Sequence, residues 1–209
     1  MVGDKLTYHS SFKDINDEII SILMPLLLEK KRICIAVGGE SGSGKTSLAY
    51  ALLVDIENEL GLKGFLFHGD DYFKLPPKDN HNKRLEDIAK VGSKEVNLNL
   101  LDDHILAFKN AEKSIFKPLV NYQANTIVKE TICTSDFDFC IVELTYAMLL
   151  EQPTFKVFIE NSFLETKTNR ERRARDIMND FNERVLEIEH NIIKEHVKLA
   201  DIAVKNSNQ

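Results

Sequence analysis

One segment near the N-terminal end of the chain has the residue types and spacing that hold a phosphate group. Residues 39–46 read Gly-Glu-Ser-Gly-Ser-Gly-Lys-Thr and fit the pattern G-x-x-x-x-G-K-[ST]. Glycines let the backbone curl with its N–H groups turned inward, and the N-terminus of a following helix favours an anion. Lys45 would reach the β- and γ-phosphates of a nucleotide, and the Thr46 hydroxyl would ligate Mg²⁺. The predicted nucleotide-binding residues are Gly39, Ser41, Gly42, Ser43, Gly44, Lys45, Thr46 and Ser47.

Acidic residues stand at the ends of two predicted strands. Asp70 and Asp71 follow the strand at 64–68, and Glu143 follows the apolar run at 137–142. In open α/β sheets, ligands bind outside the carboxyl ends of the strands. Asp70 is predicted to bind the molecule that receives a phosphate and to take the proton from its hydroxyl, and Glu143 to hold Mg²⁺ directly or through water. The structural alternatives are a turn or N-cap aspartate and a solvated strand-end glutamate; Asp71 stays open between function and structure.

Four arginines lie close together after the last of the central strands. Arg170 and Arg173 share one side of a predicted helix, and Arg172 and Arg175 share another. The planar guanidinium suits phosphate oxygens and the charge that develops during phosphoryl transfer. A helix that carries such residues can close over a nucleotide and exclude water. The alternative is a charged surface helix whose arginines pair with neighbouring carboxylates.

The hydrophobic pattern predicts the elements that would position these residues. It predicts helices at 14–29, 46–60 and 98–111, a helical stretch at 163–199, and strands at 33–37, 64–68, 137–142, 155–159 and 202–204. Residues 120–132 indicate an irregular hairpin, and the proline-containing segment 76–82 indicates a loop. Strands that alternate with helices indicate an open α/β sheet with right-handed crossovers, in one domain that spans residues 1–209.

The composition argues against several classes of function. The 209 residues carry a formal net charge of −6, whereas a protein that binds a nucleic-acid duplex usually has a basic excess. Acidic residues occupy the N-terminal region, where a secretory signal would be basic and then apolar. An apolar stretch at 19–28 is about half the length that spans a bilayer. We therefore expect a cytoplasmic protein without nucleic-acid or membrane partners, and the sequence leaves open whether it forms a homo-oligomer.

The chain lacks the motifs that identify two other classes of nucleotide-binding protein. Neither N-K-x-D nor D-x-x-G, the motifs of guanine-nucleotide switches, occurs in the sequence, and the L-S-G-G signature of transport ATPases is also missing. Two interpretations remain. The first is an enzyme that transfers the γ-phosphate of ATP to a small hydroxylated metabolite. The second is a nucleotide-binding protein without catalytic activity.

The order of these motifs resembles the uridine kinase and phosphoribulokinase family, which includes nicotinamide riboside kinases. The resemblance covers most of residues 33–204. It rests on the glycine-rich loop, the Asp-Asp-Tyr-Phe-Lys segment at 70–74, the Ile-Val-Glu run at 141–143, and the segments at 172–176, 187–196 and 200–204. It implies a P-loop α/β fold with a doubly wound, mainly parallel sheet, helices on both faces and a small helical lid near 163–180. It also implies ATP with Mg²⁺, catalysis by Asp70 and Lys45, and lid arginines at Arg172 and Arg175.

The resemblance also suggests which molecule receives the phosphate. Uridine is the first expectation, and nicotinamide riboside, pantothenate and a sugar phosphate are the alternatives. Tyr72 and Tyr122 are the expected acceptor contacts. Two of the departures from the family pattern bear on activity: Leu144 follows Glu143 where the family usually has glycine, and the Lys-Glu-Val-Asn segment at 94–97 stands where the family is rich in proline and aspartate. These departures keep the non-catalytic interpretation open.

Overall fold

The computed structural model describes residues 6–29, 32–167 and 179–206. Within these ranges the helices are α1 (Lys13–Leu28), α2 (Lys45–Leu60), α3 (Pro77–Glu86), α4 (Leu98–Lys109) and α5 (Asp180–Ile193). The strands are β1 (Cys34–Gly39), β2 (Gly64–His68), β3 (Ser114–Asn121), β4 (Thr126–Cys133), β5 (Phe139–Glu143), β6 (Phe155–Ile159) and β7 (Ile202–Val204). In this part of the chain, no helix has both the length and the apolar character needed to cross a membrane.

The main sheet has five strands in the order β2-β5-β1-β6-β7, and every pair in it is parallel. The strand β1 lies in the middle, so the chain winds outward from it in both directions. Right-handed crossovers to opposite sides of a central strand place helices on both faces of a sheet. The prediction of a doubly wound parallel sheet in an α/β fold is therefore confirmed.

Each face of the sheet packs against its own layer of apolar side chains. Ile35 and Val37 of β1 pack with α1 and α2 on one face. Cys34 and Ala36 of the same strand pack with α4 and the segment around Tyr146 on the other. Successive residues of a strand point to opposite faces, and both faces are covered here. This double burial explains why β1 is a continuous apolar run rather than an alternating pattern.

The prediction of a loop at residues 76–82 is wrong, because α3 begins there. Pro77 lies in the first turn of α3, where its missing N–H leaves no hydrogen bond unmade. Asp79 lies in the first turn as well, while Lys83 and Arg84 lie in the last turn. These charges complement the helix dipole at both ends. The proline that suggested a loop is thus the start signal of a helix.

Two other segments differ from the sequence expectations. The hairpin is longer and more regular than predicted, since β3 and β4 pair antiparallel along their whole lengths, from Ser114 opposite Cys133 to Asn121 opposite Thr126. The stretch at 163–199 contains α5 and a 3₁₀ turn at Lys194–Leu199. Most of the predicted lid falls at 168–178, which lie outside the described residues.

Gly69, directly after β2, provides a test of how tightly the strand ends pack. A Cβ atom at Gly69 would lie 2.4 Å from Cβ of Leu144 and 2.7 Å from the carbonyl oxygen of Glu143. Neither atom can move without a shift of β5. We expect Gly69→Ala to lower the free energy of unfolding by about 1–3 kcal/mol, measured by urea denaturation followed by circular dichroism.

Gly38→Ala is the matched control for this substitution. A Cβ atom at Gly38 would lie 3.0 Å from the terminal methyl of Met148, which is flexible. The expected loss is below about 1 kcal/mol. Equal losses for the two variants would show that the contact at Gly69 is not the tighter one.

Candidate active site

The glycine-rich loop joins β1 to α2 and forms the first part of the site. Gly39 has φ +143° and Gly44 has φ +98°, and both values favour glycine. A Cβ atom at Gly39 would lie 2.9 Å from the carbonyl oxygen of Ile159, and one at Gly44 would lie 2.7 Å from Nδ2 of Asn206. The loop is thus held between β6 and the C-terminal segment, with α2 directly after it. This is the strand–loop–helix context that anion binding requires.

Part of this loop lines a cavity at the carboxyl edge of the main sheet. The loop residues in the cavity wall are Ser41, Gly42, Lys45 and Thr46. Nζ of Lys45 donates a hydrogen bond to the carbonyl oxygen of Glu40 at 2.9 Å. The other predicted nucleotide contacts, Gly39, Ser43, Gly44 and Ser47, are absent from the described cavity lining, and the Ser43 side chain is fully buried. Of these, the two glycines give the loop its shape.

A pair of oxygen donors stands beside the loop. The Thr46 hydroxyl donates to Oε2 of Glu143 at 3.1 Å, and Nδ1 of His68 lies 3.1 Å from Oε1 of the same carboxylate. The Glu143 side chain is almost completely buried. A hydroxyl and a carboxylate are the hard oxygen ligands that Mg²⁺ prefers, so the residues fit the predicted metal. Sequence reasoning missed His68. Only the parallel register of the folded sheet places it directly opposite Glu143.

The structure separates the roles of the two adjacent aspartates. Asp70 lines the cavity. Asp71 is buried, and it accepts hydrogen bonds from Nζ of Lys117 and from the backbone N–H of Val120, both at 2.9 Å. Lys117 is also buried and forms a second ion pair with Glu130 at 2.7 Å. Asp71 therefore fastens the β3–β4 hairpin to the end of β2, whereas Asp70 forms part of the cavity wall.

The two tyrosines predicted to contact the acceptor are not equivalent. Tyr122 lines the cavity, whereas the side chain of Tyr72 is buried in the core and only 1% exposed. The Tyr72 hydroxyl lies 2.9 Å from Nδ1 of His104. Burial lowers the pKa of His104, which favours its neutral form beside the hydroxyl. Tyr72 is thus a packing residue, because the 3₁₀ turn that presents Asp70 to the cavity turns Tyr72 inward.

Another part of the cavity wall is formed by α3 and α5. Arg84 of α3 donates to both oxygens of Glu95, at 2.6 and 2.9 Å, and to Oε1 of Glu189 on α5 at 3.0 Å. Arg84 and Glu189 both line the cavity. Burial raises the pKa of Glu189, while the charge of Arg84 acts in the opposite direction. Sequence reasoning missed this pair, because the residues are far apart in the chain and a buried charge has no local sequence signature.

The glycine-rich loop also contacts α5 directly. Glu40 is buried, and its Oε1 lies 2.7 Å from Nδ1 of His190. Its Oε2 accepts a hydrogen bond from the backbone N–H of Phe163 at 2.7 Å. An unspecified position of the phosphate-binding pattern thus connects the loop to the first residue of the predicted lid and to α5, which follows the lid. The lid arginines themselves, Arg170, Arg172, Arg173 and Arg175, lie outside the described residues.

The departure at Leu144 does not reach the cavity. Leu144 is fully buried and packs in the core on the α4 side of the sheet. The absence of a side chain at Gly69 leaves the room that Leu144 occupies. Leu144 is therefore accommodated in the core, and the carboxylate of Glu143 keeps its contact with Thr46.

Comparison with known proteins agrees with this arrangement. A sequence profile described as the phosphoribulokinase/uridine kinase family matches residues 34–208, from the start of β1 onward. The chain belongs to this family. As a member of the phosphoribulokinase/uridine kinase family, it is a P-loop kinase of small molecules, and the predicted resemblance is confirmed.

Three known proteins show how far the similarity in sequence and fold extends. A bifunctional alpha-galactosidase/sucrose kinase of Mediterraneibacter gnavus is 30% identical over 189 residues, which are 84% of this chain but only 20% of that relative. A uridine kinase of Lactobacillus johnsonii is 24% identical over 199 residues, 86% of this chain and 89% of that enzyme. The solved phosphoribulokinase from Rhodobacter spheroides superposes with a TM-score of 0.65 at 16% identity, covering 84% of this chain and 70% of the other. At that identity the likeness concerns the fold alone.

The different environments of the two aspartates predict different effects of the same substitution. In Asp71→Asn the buried Lys117 loses one of its two anionic partners, and breaking a buried ion pair is costly. We expect Asp71→Asn to lower the free energy of unfolding by about 3 kcal/mol and Asp70→Asn by less than about 1 kcal/mol. Urea denaturation of both variants measures the difference. A larger loss for Asp70→Asn would reverse the structural assignment.

Proposed function

We propose that this family member transfers the γ-phosphate of ATP to a hydroxyl group of a small metabolite in the cytoplasm. One observation carries the proposal: Lys45, Thr46, Asp70 and Glu143 line the same cavity. These four side chains come from the glycine-rich loop and from the ends of two different strands. A phosphate-binding loop, a pair of oxygen ligands for a metal and a separate carboxylate are the parts that phosphoryl transfer needs.

The nucleotide is proposed to bind at the loop. Backbone N–H groups at the start of α2 and the ammonium of Lys45 would hold its phosphates. Thr46 and Glu143 would hold Mg²⁺, which neutralises charge on the β- and γ-phosphates when it is bound. The contacts of Glu143 with Thr46 and His68, together with its burial, keep its carboxylate beside Thr46 rather than in solvent. Nucleotide and metal therefore share the edge of the sheet where β1 and β5 end.

The acceptor is proposed to bind beside Asp70. Asp70 would take the proton from the acceptor hydroxyl as its oxygen attacks the γ-phosphorus. The new oxygen–phosphorus bond forms while the bond between the γ-phosphorus and the β–γ bridging oxygen breaks, and ADP leaves with the electron pair. By the family resemblance, Arg172 and Arg175 would neutralise the charge that spreads onto the transferred group.

Two acceptor classes have support from the relatives. A nucleoside such as uridine follows from the sequence resemblance and from the likeness to a uridine kinase along most of both chains. A sugar follows from the relative that is named as a sucrose kinase. Tyr122 in the cavity wall offers a ring face that suits either a nucleobase or a sugar. We keep the nucleoside as the first candidate and the sugar as the second.

The role of Lys45 and Asp70 predicts two distinct kinetic defects. Lys45→Ala removes the cation that holds the phosphates, so both ATP binding and turnover should be lost. Asp70→Asn should retain ATP binding and reduce turnover by about 10²–10⁴-fold, because only proton transfer and acceptor binding are impaired. A coupled ADP-release assay over nucleosides and sugars measures turnover, and calorimetric titration measures ATP binding.

Lys63→Ala is the control for these variants, since Lys63 is an exposed lysine remote in sequence from the loop. It should keep both binding and turnover. Full turnover in Asp70→Asn would remove the assignment of the base. ATP binding without any product in the unmodified protein would instead favour the non-catalytic alternative.

The contact between Thr46 and Glu143 predicts a metal-dependent defect. Glu143→Gln keeps the shape of the side chain but weakens an oxygen ligand or its water. We expect the Mg²⁺ concentration that gives half-maximal activity to rise about tenfold or more, while a chelator abolishes the activity of the unmodified enzyme. Titration of activity against free Mg²⁺ measures the change. An unchanged Mg²⁺ requirement in Glu143→Gln would argue that Glu143 does not serve the metal.

A further inference from the structure

The wall formed by α3 and α5 has no role in the nucleotide chemistry proposed above. Arg84 and Glu189 line the cavity on this wall, together with the uncharged polar residues Asn80 and Asn182. Asp70 lines the same cavity. A molecule that offers its hydroxyl to Asp70 therefore lies within the space that these side chains enclose. The properties of the wall then limit which acceptors can bind.

The hydrogen bonds of Arg84 fix its position and compensate its charge. Nε and Nη2 bind the two oxygens of Glu95, and Nη2 also binds Oε1 of Glu189. Glu95 is itself held by the backbone N–H of Gly92 and the side-chain amide of Asn80, both at 2.9 Å. The guanidinium thus faces two carboxylates and cannot turn toward a third without breaking a buried ion pair.

The same pair retains one donor and one acceptor for a ligand. Within the described residues, Nη1 of Arg84 and Oε2 of Glu189 have no hydrogen-bond partner, and the side chains are only 16% and 12% exposed. A hydroxyl group both donates and accepts, so neighbouring hydroxyls of one molecule can satisfy both atoms at once. A site with buried polar groups of this kind discriminates strongly against ligands that leave them unpaired.

The charges around the cavity oppose an anionic acceptor. Among the described lining residues, the cationic side chains of lysine and arginine type are Lys45 and Arg84. The first serves the ATP phosphates in the proposed function, and the second is compensated by its carboxylates. Lys74, Lys78 and Lys83, which also lie in the basic segment between 74 and 84, are absent from the described lining of this cavity. A phosphate or carboxylate of the acceptor placed at this wall would instead face the carboxylate of Glu189.

We propose that Arg84 and Glu189 form the acceptor-recognition pair and that they select an uncharged, polyhydroxylated acceptor over a phosphorylated or carboxylated one. This inference rests on the proposed kinase function. Glu189 acts as a specificity-determining residue, and Glu95 and Asn80 act as positioning residues that hold Arg84. Pantothenate and sugar phosphates are thereby excluded as acceptors, whereas nucleosides and free sugars are retained.

The first test compares acceptors in matched pairs that differ by one anionic group. The pairs are uridine with uridine 3′-phosphate, sucrose with sucrose 6-phosphate, ribose with ribose 5-phosphate, and pantothenol with pantothenate. ADP release gives kcat/KM, and mass spectrometry identifies the phosphorylated product. For any pair that reacts, we expect the neutral member to be favoured by at least about 100-fold. A preferred anionic member would overturn the inference and leave the kinase function standing. No product from any member, with ATP binding intact, would overturn both.

The second test replaces Glu189 by its uncharged isostere. Glu189→Gln can still accept a hydrogen bond from Arg84 but removes the negative charge from the cavity. With the best neutral acceptor, we expect its KM to rise about tenfold or more, a larger change than in the KM for ATP. The preference for the neutral over the anionic member of its pair should also fall at least about tenfold.

The matched control is Glu187→Gln on the same helix. Glu187 is half-exposed and pairs with Arg184. This substitution should therefore leave unchanged the KM for the acceptor, the KM for ATP and the preference for the neutral acceptor. An unchanged acceptor KM and preference in Glu189→Gln, or a change in the KM for ATP alone, would overturn the assignment. If Glu189→Gln does not fold by circular dichroism, Arg84→Lys carries the same test, because it keeps the charge and loses the fork that holds both carboxylates. An unaltered acceptor KM in a folded Arg84→Lys variant would count equally against the pair.

Discussion

The parallel pairing of β2, β5 and β1 determines where the polar residues of this protein can meet. These strands start at different places in the chain but end at one edge of the sheet, and the register puts His68 and Val37 on either side of Glu143. The next residues along β1 belong to the glycine-rich loop, and the next along β2 include Asp70. Because every carboxyl end points the same way, the glycine-rich loop, the contact between Thr46 and Glu143, and Asp70 reach one cavity without any long connection.

Two buried ion networks hold the outer parts of the cavity in place. Asp71 and Lys117 hold the β3–β4 hairpin, and the network of Arg84, Glu95 and Glu189 joins α3 to α5. Buried ion pairs contribute little net stability compared with apolar packing, but a broken pair is strongly destabilising. Both networks therefore act mainly to fix one arrangement. In the second network Arg84 and Glu189 also line the cavity, and for this reason we propose that they take part in acceptor selection.

The contact between Glu40 and His190 connects these two parts. His190 is adjacent in sequence to Glu189, and its partner Glu40 lies inside the phosphate-binding pattern. The helix α5 therefore contacts both the glycine-rich loop, through His190, and Arg84 of α3, through Glu189. The pattern G-x-x-x-x-G-K-[ST] leaves the position of Glu40 unspecified, and here its carboxylate contacts His190 and the backbone N–H of Phe163.

The sequence by itself determined the elements whose signals are local. The loop at 39–46, the double burial of β1 and the strand at Phe155–Ile159 follow from residue type and spacing over a few positions, and the structure contains each of them. Tertiary structure decided what depends on residues far apart in the chain. It assigned Asp71 to Lys117, directed Tyr72 into the core, turned the segment after Pro77 into a helix and brought Arg84 to Glu189. A local pattern reports how a residue fits its own helix or strand, whereas the cost of burying a charge or a hydroxyl depends on a partner that only the folded chain supplies.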